Sequence, residues 1–292
     1  MESKTTSLDN PRRNAIDAMK NSVTKERWER NSRFTESLRK KIKTHPICEH
    51  PILDLLERGF FSIDAVRHIH LEYRYAIVQI FTDALLMAQV QAMQLEPRLP
   101  PGSKMPPRFL LTLNALDEFG FEPGLDTTGY YRGNPWFAHY PLFERVLNNL
   151  CVSQAQRESH APGSHAKNLH NFLKDSFHDY TGLLALLAAA EEQVIIFSPA
   201  LRAATSLVGV DVNSGYYYVH GTSQHDNTNA HDDDHEADLW AALNQACTDE
   251  VYERLEIAVL AYLDMWYEFW SRQQLSMEAS TPQPEHERGV LA

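Results

Sequence analysis

Residues 183–196, LLALLAAAEEQVII, decide the fold class of this chain. Their apolar side chains recur at spacings of three and four, which is the period of an α-helix and not the alternation of a β-strand. Leu184, Leu187, Glu191 and Val194 fall on one face of that helix, which is therefore apolar except at one carboxylate. A helix this apolar is typical of a protein core, and the stretch predicts a buried helix.

The same helical period continues through most of the chain. Glycine is sparse, with 12 residues among 292, and strand-like alternation is nearly absent. Residues 96–107 and 121–135 are rich in proline or glycine and are predicted loops. We therefore predict an all-α protein. The other predicted helical segments are ILDLLERG closed by Gly59, a longer helix capped by Ser62 or Asp64, RFLLTLNALDEFG up to Gly120, a region from Leu169 to Leu207, a helix from about Asp233, and Thr248 to Gln273.

The composition along the chain divides it into three predicted segments. Residues 1–45 are charged and only weakly amphipathic, which predicts a peripheral N-terminal arm. Residues 46–275 hold the strongly periodic stretches and are predicted to form one helical domain. Residues 276–292 are polar and contain proline, which predicts a disordered tail.

The charge balance is acidic, because 27 Lys and Arg residues stand against 39 Asp and Glu residues, a net charge of -12. That charge repels phosphate backbones and anionic lipids, so we expect a small-molecule substrate and no nucleic-acid or membrane partner. No uninterrupted apolar run approaches the roughly 18 residues of a membrane span. Cys48, Cys151 and Cys247 are far apart and in no CxxC pair, which predicts neither disulfides nor a thiolate zinc site. A cytoplasmic location is expected.

Two apolar helix faces are interrupted by carboxylates, and a buried carboxylate is costly unless a cation or hydrogen-bond donor accompanies it. In LTLNALDEFG, Asn114 and Glu118 share a face, and His139 opens a later helix in AHYPLF. Glu191 lies where residues 183–196 are most apolar. Each side chain has an ordinary alternative: Glu118 and His139 can be polar residues at helix ends, and Glu191 can pair with an arginine.

The densest group of metal-binding residue types is HGTSQHDNTNAHDDDHEAD, residues 220–238. On a helix, Asp232 and His235 at i and i+3 project to one side and can bind one metal together. His231 and His235, at i and i+4, can do the same. The alternative is a solvated acidic loop.

Together these segments offer carboxylates and imidazoles from several helices and no thiolate. Such a set suits a pair of iron or manganese ions held by bridging carboxylates inside a helical bundle. A single zinc ion needs fewer ligands. The two Glu-x-x-His pairs of ferritin-like carboxylate proteins are absent from the sequence, which disfavours that class.

Taken in order, these segments resemble the haem-oxygenase-like diiron oxidases and oxygenases, which are relatives of the TenA and PqqC proteins. In that family a helix reads N-x-x-[DE]-E-x-G, followed by a histidine, an E-x-Q-[VI]-P-like segment and H-x-x-x-D-x-x-H. The resemblance spans about Ser62 to Gln273. The corresponding stretches here are NALDEFG with Glu118, AHYPLF with His139, AEEQVI with Glu191, and VHGTSQHDNTNAHDDDH with His220, Asp232 and His235.

The resemblance implies a haem-oxygenase-like bundle of about seven core helices that carries the N-terminal arm. It implies a non-haem diiron enzyme that uses O2 as co-substrate and an electron donor to oxidise a small molecule in natural-product biosynthesis. No catalytic residue beyond the metal ligands is predicted. The implied ligands of the two iron ions are Glu118, His139, Glu191, His220, Asp232 and His235, with Asp233 and Asp234 as alternatives to Asp232 because an insertion interrupts the family spacing.

Glu72 is a further candidate ligand, on the core helix that precedes Glu118. Relatives that oxygenate amine nitrogen resemble this chain in having an additional carboxylate on that helix, so Glu72 implies N-oxygenation of an amino acid or an amino-acid-derived amine. The alternative is a polar pair between Glu72 and His68 at the edge of the helix, four residues apart.

Two other functions compete with the diiron hypothesis. A metal-free TenA-like or PqqC-like enzyme would enclose an organic ligand in the same bundle, but TenA-type chemistry needs a cysteine in the pocket, and no cysteine lies beside the acidic positions. A non-catalytic helical ligand-binding protein is the second competitor. Trp266, Phe269 and Trp270 on the last helix are a candidate homodimer surface.

Overall fold

The computed structural model describes the backbone of residues 10–220 and 231–280 and the side chains of residues 10–220 and 235–275. Of these described residues, 75% are helical, which confirms the all-α prediction. The α-helices are α1 (Pro11–Asn21), α2 (Lys25–Lys43), α3 (Ile52–Glu57), α4 (Ile63–Tyr73), α5 (Phe81–Gln91), α6 (Met105–Glu118), α7 (His139–Asn149), α8 (Gln154–Ser159), α9 (Ser164–Asp175), α10 (Tyr180–Leu207), α11 (Tyr216–Val219), α12 (His231–Ala246) and α13 (Tyr252–Ser280).

Helix α10 is the centre of the bundle, as its apolar sequence predicts. It packs against α3, α5, α12 and α13, and every residue from Leu183 to Glu191 is buried. The helix continues through Pro199 to Leu207. The predicted helical region from Leu169 is divided, however, because α9 ends at Asp175 and α10 begins only at Tyr180.

The N-terminal helices contribute to the core. Helix α1 packs against α6 and α12, and α2 packs against α12 and α13. Met19, Leu38 and Ile42 are buried in these contacts. The buried Asn31 amide donates to the carbonyls of Asn244, at 2.6 Å, and Cys247, at 3.1 Å. These carbonyls lie at the C-terminal end of α12, where the helix itself offers them no donor.

A β-hairpin lies within the segment predicted as a loop. Strand β1 (Phe121–Leu125) pairs antiparallel with β2 (Tyr131–Gly133), and both are exposed on the surface. The Asp126 carboxylate closes the turn by accepting from the backbone N–H groups of Thr128 and Tyr130. Sequence periodicity missed this pairing because neither strand buries a face, so apolar and polar residues do not alternate.

The base of the hairpin brings the end of α6 beside the start of α7. Gly120 has a φ of +77°, and a Cβ atom there would lie 2.5 Å from the backbone nitrogen of Ala138. Only glycine permits both this left-handed conformation and so close an approach of two backbone segments. Glu118 and His139, 21 positions apart, are therefore neighbours in space.

Predicted helix ends agree with the structure at several points. The Ser62 hydroxyl caps α4 by accepting from the backbone N–H of Ala65, and Gly59 follows α3 with a φ of +73°. At the other end of the chain, α13 continues to Ser280, beyond the predicted boundary of the tail at residue 275. Residues 276–279 are Ser, Met, Glu and Ala, which include good helix formers. The rest of the predicted tail lies outside the described residues.

The aromatic face of α13 is not a dimer surface, contrary to the prediction. Trp266, Phe269 and Trp270 are completely buried within the chain. The Trp270 ring stacks on Phe197 of α10, with 4.4 Å between ring centroids. The aromatic residues pack into the core because α13 is an interior partner of α10. Homodimer formation itself stays a prediction.

Within the described residues, two helical stretches, Ile63–Leu95 and Tyr180–Leu207, are long and apolar enough to cross a membrane by length and composition alone. The core helix of a globular bundle meets the same criteria. In the second stretch, 83% of the most apolar 18-residue window is buried inside the bundle, against 44% in the first. Both stretches tolerate scattered polar residues, so they do not appear as uninterrupted apolar runs. The cytoplasmic location stays a prediction.

Candidate metal centre

Three predicted ligands meet at one place in the bundle. Glu118 is the last residue of α6, His139 is the first residue of α7, and His220 directly follows α11. One potential ligand atom from each residue lies within 4.8 Å of the other two. His139 Nδ1 lies 2.9 Å from Glu118 Oε1 and 2.9 Å from His220 Nε2. The structure thus brings together side chains that are far apart in the sequence.

The cluster is removed from solvent, since Glu118, His139 and His220 are 8%, 5% and 5% exposed. Burial opposes ionisation of Glu118, but the neighbouring His139, His220 and His235 outweigh it, and the pKa of this carboxyl is lowered. A carboxylate surrounded by imidazoles therefore keeps its negative charge in the interior. That is the protonation state in which it can bind a cation.

A small cavity of about 30 Å³ adjoins the cluster and holds the fourth predicted ligand, Glu191 of α10, on its wall. The volume has room for about two water-sized species. Glu191 is buried, and its Oε1 accepts from the Asn114 amide at 3.2 Å. The Asn114 amide is thus one partner of Glu191, for which an arginine was the predicted alternative to a metal. The lining residues are Tyr73, Ile77, Val78, Phe81, Glu118, His139, Tyr140, Glu191, Val194, Tyr216 and His220.

A π-helical turn, Arg74–Val78, forms part of the cavity wall. It continues α4, and its residues Ile77 and Val78 line the cavity. Such turns insert one extra residue into a helix and occur often at functional sites, because the backbone distortion redirects side chains. Here the turn places apolar groups beside the carboxylates.

The donor set fits a metal ion. His139 Nδ1 carries either one proton or one lone pair, yet it lies 2.9 Å from two potential partners, Glu118 Oε1 and His220 Nε2. A single proton cannot satisfy both contacts with good geometry. A cation among the three atoms would satisfy all of them at once. None of the three cysteines lines this cavity, so the donors are nitrogen and oxygen atoms.

His235 lies beside the cluster, on α12. It is 4% exposed, and its Nε2 lies 4.0 Å from Asp117 Oδ2. It also contributes to lowering the pKa of Glu118. The side chains of Asp232 and of its alternatives Asp233 and Asp234 lie outside the described residues. Their role as ligands stays a prediction.

Glu72 is engaged elsewhere. Its Oε1 lies 2.7 Å from His160 Nε2, and the backbone N–H of Gly163 donates to both carboxylate oxygens, at 3.1 and 3.0 Å. Glu72 does not belong to the Glu118, His139 and His220 group. The alternative partner, His68, is near Glu72: burial lowers the pKa of His68, and the Glu72 charge opposes that shift. The direct contact of Glu72 is with His160.

Two larger clefts open toward the cluster from outside. The first, which we call the outer cleft, has a volume of about 430 Å³ and shares His139 and Tyr216 with the inner cavity. Its wall also includes Phe121 and Phe137 of the hairpin region. The second, of about 500 Å³, is lined by Asp117 and His235 among others. Volumes of this size are typical of small-molecule sites.

The sequence interpretation missed several residues that shape this centre. Asp117 lies about 100° around the helix from Glu118, off the face that Asn114 and Glu118 share, yet it faces His139 and His235 at 3.8 and 4.0 Å. Tyr216 packs on the His220 ring with 4.7 Å between centroids. The run of three tyrosines that ends two residues before His220 was the one available signal.

Comparisons with known proteins support the fold. No protein-family model matches the chain, and no curated protein matches it. Two crystal structures of a CADD-like protein of unknown function from Nostoc punctiforme PCC 73102 are similar. One has a TM-score of 0.59 and 17% identity and covers 87% of this chain and 100% of its own. The other has a TM-score of 0.55 and 15% identity and covers 90% and 100%. The haem-oxygenase-like helical fold is thereby confirmed, and at these identities the similarity shows the fold alone.

Proposed function

We propose that this protein is a non-haem diiron enzyme that uses O2 to oxidise a small molecule. One observation carries the proposal: Glu118, His139 and His220 converge within 4.8 Å at a buried cavity that Glu191 also lines. Buried carboxylates and imidazoles without a compensating cation are costly. The haem-oxygenase-like fold supports the same assignment by analogy.

Two metal ions are favoured over one by the number of carboxylates. Glu118 and Glu191 come from different helices and line the same cavity, and bridging carboxylates are the usual way to hold an iron pair in a helical bundle. His235 and the predicted ligand Asp232 would complete the second position. When bound, two Fe(II) ions supply the electrons that reduce O2 and the oxidising power for the substrate.

The protein's own residues prepare the site for this chemistry. Asn114 donates to Glu191 and fixes that carboxylate on the cavity wall. Tyr216 supports the His220 ring and separates the cavity from the outer cleft together with His139. The apolar side chains of the π-helical turn exclude water from the opposite wall. A small molecule in the outer cleft would thus lie against the ligand His139.

N-oxygenation of an amino acid or amino-acid-derived amine is the narrower form of the proposal. It draws on the family resemblance and on Glu72 as an additional ligand. For Glu72 to bind a metal, its carboxylate would have to leave His160 and the N–H of Gly163. The broader oxidase or oxygenase proposal does not need this movement, because it uses only residues at the cavity and its margin.

Anaerobic titration with Fe(II) tests the proposal. We expect the wild-type chain to bind two iron ions and to develop a transient visible absorption band when O2 is added. His220→Ala and His235→Ala should each bind less iron, whereas His178→Ala, which changes an exposed histidine away from the site, should match the wild type. Absence of iron binding by the wild type, or equal binding by all four proteins, would refute the diiron assignment. Iron binding without any reaction with O2 would leave a metal-binding protein that is not an oxygenase.

A further inference from the structure

Asp117 lies in an unusual position for an acidic side chain. It is the penultimate residue of α6, and Glu118 follows it at the helix C-terminus. Negative charge at this end of a helix is disfavoured by the helix dipole. The Asp117 Oδ2 atom is also buried and has no hydrogen-bond partner within the described residues. Two unfavourable features on one side chain indicate a compensating role.

The groups that face Asp117 Oδ2 identify that role. His139 Nε2 lies 3.8 Å away, and His235 Nε2 lies 4.0 Å away on the other side. The Asp117 side chain is 24% exposed, so it stands between the buried histidines and the solvent-filled clefts. Both histidines are predicted metal ligands, and the structure places the Asp117 carboxylate against the Nε2 atoms of both.

The orientation of His139 explains why a carboxylate is needed there. Its Nδ1 atom faces Glu118 and His220, whereas its Nε2 atom faces Asp117. A neutral imidazole has one nitrogen with a lone pair and one with a proton. If Nδ1 gives its lone pair to a metal, Nε2 must carry the proton and needs an acceptor. Asp117 Oδ2, 3.8 Å from Nε2, is an acceptor near that nitrogen.

We propose that Asp117 is a positioning residue for the metal centre, which holds the His139 and His235 rings in their ligand orientation through their Nε2 atoms. The inference rests on the proposed metal binding. Metal-bound histidines commonly donate their second ring N–H to a carboxylate, which fixes the tautomer and makes the ring a better ligand. The distances from Asp117 Oδ2 to the two Nε2 atoms exceed a hydrogen-bond length by about 1 Å, and such contacts shorten when a ligand binds.

The test compares Asp117→Asn with the wild type in Co(II) and Fe(II) binding under anaerobic conditions. We expect about 10- to 100-fold weaker binding, the usual effect of losing such a carboxylate, and a changed Co(II) visible spectrum, because the ligand geometry loosens. Thermal unfolding of chelator-treated protein should show no loss of stability, since the variant removes a charge that accepts no hydrogen bond within the described residues and lies at the disfavoured end of the α6 dipole. Asp117→Glu, which restores the carboxylate, should recover part of the affinity.

Asp175→Asn is the matched control, because Asp175 is likewise an aspartate at the C-terminal end of a helix, α9, and is exposed. It should bind metal as the wild type does. If Asp117→Asn binds metal within twofold of the wild type and with the same Co(II) spectrum, the positioning role is refuted while the metal site stands. A lower thermal stability of Asp117→Asn together with unchanged metal affinity would show that Asp117 has a purely structural role. If the wild type itself binds no metal, the proposed function fails and this inference fails with it.

Discussion

Two carboxylate–imidazole pairs lie in the interior of this molecule, and they differ in what surrounds them. Glu118 Oε1 lies 2.9 Å from His139 Nδ1, and Glu72 Oε1 lies 2.7 Å from His160 Nε2. Both glutamates are less than one tenth exposed. As isolated pairs they are nearly equivalent. Only the groups around them distinguish a candidate metal site from a structural pair.

The contacts of the Glu72–His160 pair are completed by a backbone N–H group of the protein, and we call it the closed pair. The N–H of Gly163, the residue that caps α9, donates to both oxygens of Glu72. The carboxylate therefore compensates the positive end of the α9 dipole as well as His160. No third metal-ligand residue completes a group around it among the described residues. Every contact of this pair has a structural explanation.

The Glu118–His139 pair has further potential ligand residues around it, and we call it the open pair. A second imidazole, His220, approaches the same nitrogen of His139 that Glu118 contacts, and the pair adjoins a cavity with another carboxylate on its wall. Potential ligand atoms of Glu118, His139 and His220 thus lie within 4.8 Å of one another. A buried carboxylate beside a histidine is therefore a stronger candidate for a metal site where several potential ligand atoms converge at one cavity than where a backbone N–H already accompanies the carboxylate.

Removing one histidine from each pair is the most direct test of the difference between the two pairs. We expect His139→Ala to weaken Fe(II) binding by at least about 100-fold, because a ligand and the contact with Glu118 are both lost. His160→Ala should bind iron as tightly as the wild type. Equilibrium dialysis with chelator-buffered Fe(II) measures both affinities.

Both variants remove a buried or nearly buried imidazole, so each controls for the packing cost of the other. Circular dichroism should verify that both remain folded. Equal loss of iron affinity in the two variants would contradict the distinction between an open and a closed pair. Unchanged affinity in His139→Ala would remove the cluster from the candidate metal centre.

Much of the fold was predictable because local chemistry determines it. The apolar periodicity of residues 183–196 predicted the central helix, and the Ser62 hydroxyl caps α4 as expected. The burial of Trp266 was not predictable, because an aromatic helix face looks the same in a core and at a dimer interface. Only the position of α10 against α13 distinguishes the two.

The candidate site was predictable in composition but not in pairing. Glu118, His139 and His220 were recognised as candidates, and the structure brings them together. Glu72 was a candidate ligand with a pair to His68, four residues away, as the alternative, yet its contact is His160, 88 positions along the chain. Asp117 was missed for the same reason. Helical periodicity gives the direction of a side chain, but it does not give the partner that another helix supplies.

A buried histidine outside both pairs gives a prediction that depends on pH. His70 is fully enclosed: its Nδ1 lies 2.7 Å from the Val66 carbonyl oxygen, and the Tyr217 hydroxyl donates to its Nε2 at 2.6 Å. Burial lowers the pKa of His70 to about 4. Because the unfolded chain takes up this proton near pH 6.5, the contribution of His70 to stability is complete above about pH 6.5 and is lost as the pH falls toward 4. The loss is about 3 kcal/mol at 1.36 kcal/mol per pKa unit.

His70→Gln keeps a donor and an acceptor but does not titrate. Urea unfolding of chelator-treated wild type and variant, at intervals from pH 7 to pH 4, measures the difference in the free energy of unfolding. We expect the wild type to lose about 3 kcal/mol relative to the variant over this interval. Other titrating groups are common to both proteins and cancel in the difference. Parallel curves would show that His70 accepts its proton in the folded chain at an ordinary pH.

The smallest expected effect decides between the two roles of Glu72. Glu72→Ala leaves the Gly163 N–H and His160 without their acceptor, which should lower the free energy of unfolding by about 2 kcal/mol. If Glu72 only closes this pair, iron affinity, stoichiometry and turnover stay at wild-type values, and the argument from this residue for nitrogen oxygenation is removed while the diiron proposal stands. Weaker iron binding in Glu72→Ala, beyond the loss seen in His160→Ala, would contradict the closed-pair interpretation. It would mean that the carboxylate leaves His160 and Gly163 to join the metal centre, as the N-oxygenase hypothesis requires. Comparing the two variants separates these outcomes, because both open the same structural pair and only one removes a carboxylate that can bind iron.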